Sequence, residues 1–138
     1  VTKQAEKSQS EIPVKVGRAT FIKSFYYAWQ GIKHVLLTQR NMWVHLAAGA
    51  TVIVVGILFG VSWVEWACLL TIMALVYTLE ILNTVVEALV DMYTREYHPL
   101  AKVAKDAAAG AVLVAAIFSV GVAMVIFVPR ILHWLFKI

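Results

Sequence analysis

The chain has 138 residues, 62% of them hydrophobic and 14% charged, with a net charge of +4 at neutral pH. That is too apolar for an ordinary soluble domain and long enough for a few membrane crossings, so the composition points to one small membrane domain. The basic residues flank apolar runs and form no basic patch interleaved with aromatics, which argues against a nucleic-acid partner. Cys68, the single cysteine, lies inside an apolar run, where a thiol behaves as a small hydrophobe, and carries no redox or zinc reading.

Residues 1–19 mix Lys, Gln, Ser and Glu without periodicity and read as a mobile tail, with no apolar region and cleavage site of a secretory signal. Over about 20–40 the pattern becomes helical. Phe21, Phe25, Trp29, Ile32 and Leu36 share one face, opposite Lys23, Tyr27, Gln30 and His34, which predicts an amphipathic helix lying at the membrane surface. His34 and His45 have no second ligand at metal spacing and read as surface or interfacial histidines.

Three apolar runs follow, at about 43–64, 66–93 and 103–128, each long enough to cross a bilayer core. The predicted fold is therefore an all-α membrane protein: an N-terminal amphipathic surface helix followed by three transmembrane helices, with 20–138 as a single membrane domain. Trp43, Trp63 and Trp66 flank the first span as interfacial anchors. Gly56 and Gly60 make a G-x-x-x-G, a weak packing signal, and Ser62 to Glu65 reads as a short turn. In the third span Ala107, Ala111, Ala115, Ser119 and Ala123 recur at i+4 and read as a close-packing ladder, while Pro129, Arg130, His133, Trp134 and Lys137 read as an interfacial tail.

The second span ends in the most informative stretch, EILNTVVEALVD. On a helix Glu80, Asn83, Glu87 and Asp91 fall within an arc of about 80°. Carboxylates near hydrocarbon depth are costly unless they pair, face a wet cavity or bind a cation, so this stripe is a candidate functional site. The plain alternative is a helix end already in the headgroup region. The polar loop from Thr94 to Asp106 lies beside the stripe, and Pro99 lets the chain turn to bring Lys105 and Asp106 back toward Glu87 and Asp91. No phosphate-binding P-loop and no protein-kinase motif set occurs.

The string from Glu80 to Asp91 resembles the signature of the small prokaryotic diacylglycerol kinases, integral-membrane lipid kinases that include the undecaprenol kinases. Tyr27-Ala-Trp29-Gln-Gly31, Glu96-Tyr97-His98 and Ala104-Lys105-Asp106 fit the same family at consistent spacing, over about residues 20 to 125. The resemblance implies transfer of a phosphoryl group from ATP to a membrane lipid alcohol, diacylglycerol or undecaprenol, with Mg²⁺ as cofactor. It implies Glu80 as catalytic base toward the lipid hydroxyl and Glu87 as metal ligand and nucleotide contact. Tyr27, Glu96, His98, Lys105 and Asp106 are implied at the nucleotide, and Asn83, Trp29 and Asp91 in positioning the lipid or the site. The family's second metal-binding glutamate falls at Gln39, a departure, because an amide oxygen ligates Mg²⁺ without bringing charge. Thr20 stands where other members carry an arginine, for which Arg18 is a candidate substitute. A homotrimer with shared sites is also implied, in keeping with a first span that offers the stripe almost no polar partner. The rival readings are an ion or proton pathway built on Glu80, Glu87 and Asp91, which calls for polar residues beyond Glu80, and a structural membrane subunit.

Seven basic residues precede the first span and three more, Arg95, Lys102 and Lys105, lie in the loop after the second, so ten of the twelve fall on one side. The positive-inside rule then puts the N-terminus and the Thr94 to Asp106 loop in the cytoplasm, with the chain in the cytoplasmic membrane. In a Cys68→Ala background, a Tyr97→Cys side chain is expected to resist an impermeant thiol label added to intact cells. Labelling from outside would overturn this orientation and the access of ATP together.

Overall fold

A computed structural model describes residues 21–136, and the expected tail, with Arg18 and Thr20, lies outside them. Four helices make up the described chain: α1 (Phe21–Thr38), α2 (Arg40–Leu58), α3 (Trp63–Tyr93) and α4 (Pro99–Phe136). There is no strand among the described residues. The last three helices are long and apolar enough to cross a membrane. Large apolar side chains such as Val54, Ile57, Leu75, Leu89, Ile117 and Phe118 are exposed along them, as lipid contact requires. The chain is a membrane protein.

The chain divides into two compact units between Gly31 and Ile32. In the first, Phe21 and Phe25 meet edge to face at 5.0 Å, and Tyr26 and Tyr27 at 5.8 Å. In the second, Gln39 is the one residue that interrupts the helix, extended at the N-cap of α2. Here the Trp43 indole donates to the Leu36 carbonyl at 2.8 Å, tying the end of α1 to the first turn of α2.

The connection from α2 to α3 is tighter than a loop and differs from the expected turn over Ser62 to Glu65. Gly60 takes φ +59°, so Gly60 N–H reaches the Ile57 carbonyl and Val61 N–H the Gly56 carbonyl, a Schellman ending that satisfies the last carbonyls of α2. Ser62 then caps α3, which begins at Trp63, and Glu65 lies inside its first turn in a reciprocal capping box. The G-x-x-x-G is thus not a helix-pairing motif. Gly60 supplies a left-handed turn, and Gly56 gives up its side chain to the Trp66 indole, which lies 2.6 Å from where a Cβ would stand.

The inward face of α3 runs through Leu69, Val76, Glu80, Asn83 and Thr84, all buried, so the polar stripe continues the same packed seam that is apolar in the first half of the helix. It packs mainly on α4. Leu69, Val61, Ile126 and Phe127 form the buried cluster at the end where α3 begins. The alanine ladder does not form one face: Ala115 is buried and Ser119 and Ala123 are half-buried, but Ala107 and Ala111 are exposed. An i+4 row drifts about 40° per step on a 3.6-residue helix, so four steps carry it off the contact.

Helix α4 starts on Pro99, whose fixed φ and missing N–H suit a first helical position. It runs through Pro129 to Phe136, which corrects the expected interfacial tail. The Arg130 guanidinium donates to the Ile126 carbonyl at 2.7 Å and to Glu65 at 2.7 Å, so the last turns of α4 are held to the first turn of α3. Substituting Gly60 forces a Cβ into the left-handed region, and Gly60→Ala is expected to cost about 1 kcal/mol. A thermal unfolding midpoint in detergent equal to that of the unsubstituted chain would contradict the strained position.

Candidate active site

Glu80, Asn83, Glu87 and Asp91 descend the inner side of α3 toward its C-terminal end, and their surroundings change with each step. Glu80 is 1% exposed, and its Oε1 is buried with no hydrogen-bond partner. The Thr84 hydroxyl donates to the Glu80 main-chain carbonyl at 3.0 Å, leaving the carboxylate itself unengaged by it. Asn83 is also buried, and its Oδ1 lacks a partner. Buried polar atoms are nearly always paired, so two orphan acceptors on one helix face mark a place prepared for something else.

They open on a cavity of about 260 Å³ bounded by Asn41, Val44 and His45 of α2, by Glu80 and Asn83, and by Ala109, Val112, Leu113 and Ala116 of α4. Most of this wall is apolar. His45, read from the sequence as a surface or interfacial residue, is half-buried and lines this space. Sequence reasoning missed Asn41 altogether. The signal was there, since Asn41, Val44 and His45 at i, i+3 and i+4 put two polar groups on one face of an otherwise apolar helix. One turn of α3 above Glu80, the Tyr77 hydroxyl donates to the His45 carbonyl at 3.3 Å. It fills the space left by Gly49, where a Cβ would stand 2.0 Å from the phenolic oxygen.

Glu87 lies two turns from Glu80, about 10 Å along the axis. Both of its oxygens accept amide hydrogens: the Gln39 side chain donates to Oε2 at 3.2 Å, and the Asn83 side chain to Oε1 at 3.0 Å. The structure therefore brings Gln39, Asn83 and Glu87 together, the first across 48 positions of sequence. Each amide donor offsets part of the carboxylate's charge without a cation. Among the described residues no three His, Cys, Asp or Glu side chains gather as a metal cluster.

Beyond Glu87 the wall becomes charged. A groove of about 400 Å³ is lined by Asp91, Thr94, Arg95, Glu96, Tyr97, His98, Lys102, Lys105 and Asp106, with Val90 and Ala101 beneath. Lys105 donates to Asp91 at 2.5 Å, as the turn at Pro99 allows. Asp106 does not face Glu87 or Asp91; it pairs with Lys102 one turn earlier on its own helix. Glu96 and His98 line the groove and are exposed. Tyr27 and Trp29 belong to the unit formed by residues 21–31, where both are exposed.

A largely apolar cavity bounded in part by an unengaged carboxylate, a central carboxylate held by amides, and a groove of mixed charge thus succeed one another along one seam. The arrangement suits the transfer of a group between a hydrophobic molecule and a charged one. Comparison with known proteins accords with it. The family described as Prokaryotic diacylglycerol kinase matches residues 26–127. The chain is 43% identical over 111 residues to the undecaprenol kinase of Bacillus subtilis (strain 168), covering 80% of this chain and 90% of that protein. It is 44% identical over 110 residues to a diacylglycerol kinase of Synechocystis sp., covering 79% of this chain and 63% of that protein. To the diacylglycerol kinase of Escherichia coli (strain K12) it is 32% identical over 104 residues, covering 75% of this chain and 85% of the relative. With the family matched across residues 26–127, and relatives of 30% identity or more covered over most of their length, the chain belongs to the prokaryotic diacylglycerol kinase family.

Proposed function

We propose that this kinase transfers the γ-phosphoryl group of ATP to the primary hydroxyl of a membrane lipid alcohol, converting diacylglycerol to phosphatidic acid and so feeding phospholipid synthesis. The observation that carries the proposal is the unengaged Glu80 carboxylate beside a largely apolar cavity, about three helical turns from a groove of charged side chains. A lipid hydroxyl entering the cavity meets Glu80 Oε1 as the acceptor for its proton. As that proton moves to Glu80, the hydroxyl oxygen forms a bond to the γ-phosphorus and the bond from that phosphorus to the bridging oxygen breaks, releasing ADP. Asn83, hydrogen-bonded to Glu87, holds the orientation of that carboxylate.

Glu87 is the natural holder of a Mg²⁺ ion, with Gln39 and Asn83 beside it. Both amides now turn their N–H groups to the carboxylate, and turned over, each presents a hard oxygen. When bound with the nucleotide, Mg²⁺ supplies neutralisation of the phosphate charge. Glu96, His98, Lys105 and Asp106, which line the groove, contact the nucleotide in this reading, and Asp91 orients Lys105. Tyr27 and Trp29 are assigned to the nucleotide and the lipid by family resemblance alone. The groove opens to the cytoplasm in the orientation that the basic residues favour. A homotrimer, with a neighbouring copy completing the walls, is the assembly that we assign to it.

Undecaprenol is the second acceptor reading, favoured by the Bacillus relative, of which 90% is covered. It needs the same chemistry, a primary hydroxyl delivered to Glu80 from an apolar tail. Labelled ATP with mixed micelles of either lipid decides between them, and the two glutamates are expected to fail differently. Glu80→Gln should lower kcat by about a hundredfold or more while nucleotide binding stays intact, because it removes a base. Glu87→Gln should chiefly weaken binding of the metal-nucleotide complex. No transfer to either lipid, or equal losses in both quantities for both variants, would sink the assignment.

Gln39 gives a separate test. A carboxylate there adds a hard anionic ligand beside Glu87, so Gln39→Glu should lower the Mg²⁺ concentration for half-maximal activity and Gln39→Ala should raise it. The same Gln39→Glu chain, with two carboxylates side by side, should melt at a lower temperature in chelator and recover when Mg²⁺ is added. An unchanged midpoint in both titrations would remove Gln39 from the cation site.

A further inference from the structure

The charged groove holds three fixed cations, Arg95, Lys102 and Lys105, and their pairing is uneven. Lys105 is held by Asp91 and Lys102 by Asp106. Arg95 has no carboxylate within ion-pair distance among the described residues, although Glu96 is its neighbour in the chain. The turn that carries it is organised nonetheless. The Thr94 hydroxyl donates to the Glu96 carbonyl at 3.3 Å and accepts from Glu96 N–H at 3.2 Å, closing a small ring with Arg95 at its apex. Arg95 thus lines the groove from an ordered turn, its five donors unused by any carboxylate among the described residues.

An anionic ligand that enters must compete with Asp91 for Lys105 and with Asp106 for Lys102, but it meets no such competitor at Arg95. A guanidinium also matches the geometry of phosphate oxygens in a way that a lysine ammonium does not. We infer that Arg95 is the first grip on the phosphate tail of the nucleotide, made before either lysine leaves its carboxylate. This rests on the reading of the groove as the nucleotide site and adds to it a residue that the sequence reading left unassigned. The chemistry recognised is a phosphate, which a nucleotide or an anionic lipid headgroup can present, and the inference commits to the nucleotide.

The test uses the full chain in vesicles of zwitterionic lipid and in vesicles with phosphatidylglycerol added. Arg95→Ala is expected to raise the KM for ATP by about tenfold, the loss of one charge-assisted contact, with kcat and the KM for the lipid alcohol unmoved in both vesicle types. Arg95→Lys should recover part of that loss, since it keeps the charge without the fork. Direct binding separates this from the kinase reading: Arg95→Ala should weaken ATP and leave adenosine untouched, whether or not any lipid is phosphorylated. An ATP affinity and KM unchanged by Arg95→Ala would overturn the inference. So would an effect confined to the phosphatidylglycerol vesicles, which would give Arg95 to the headgroup. If the unsubstituted chain binds ATP and transfers nothing, the kinase reading fails alone; if it binds no ATP, both fail.

Discussion

The constraint on which the rest depends is the burial of Glu80. An ionisable group 1% exposed on a membrane-spanning helix is expensive, and the cost is tolerated where it serves a purpose. Everything around it limits that cost without removing it. The inner seam of α3 is apolar for its first half, so Leu69 and Val76 with Ile126 and Phe127 supply the packing that a carboxylate cannot. Of the next polar groups, Asn83 donates to Glu87, which also accepts from Gln39, and the deepest carboxylate oxygen is left open. A site that satisfied Glu80 internally would be more stable, and in the proposed reaction it would have no proton acceptor to offer.

The two ends of the α3–α4 pair are built in opposite ways. At one end Ser62, Glu65 and Arg130 share hydrogen bonds among a cap, an acid and a guanidinium, with every partner supplied by the chain. A capping box and a guanidinium that donates to two acceptors, Glu65 and the Ile126 carbonyl, make this end self-sufficient. At the other end the ion pairs are exposed, and exposed pairs contribute little and exchange readily. That is the suitable place for side chains that must release one partner to take another. The stable end anchors the helices, and in the proposed reaction the labile end does the binding.

Much of this was legible in sequence because it depends on period. The four helices and the polar stripe follow from the 3.6-residue repeat and from run length, and the turn that returns Lys105 to Asp91 follows from Pro99. What escaped depends on position in space. The Glu65 to Arg130 pair joins residues 65 apart, and nothing local in either segment announces the other. Gly60 gave the same letter pattern as a packing motif, and only its positive φ shows that it ends a helix. His45 looked interfacial because it stands near the start of a span, yet one turn of rotation puts it at the cavity wall. The alanine ladder failed for the converse reason: a repeat of four was read as a straight line on a surface that turns.

The separation of Glu80 from Glu87 acts as a depth gauge. The two carboxylates stand about 10 Å apart along one helix axis, and a helix does not stretch, so the distance from the buried carboxylate to the amide-held one beside the charged groove is set by seven residues. A water-soluble donor approaches from the charged side, and an acceptor in the bilayer approaches from the apolar one. Whether they meet depends on how far below the headgroups the acceptor carries its hydroxyl. Discrimination by immersion of this kind asks little of the tail, since chains of different length and branching continue into the same hydrocarbon. In the proposed reaction it would reject alcohols held too high or too low in the leaflet.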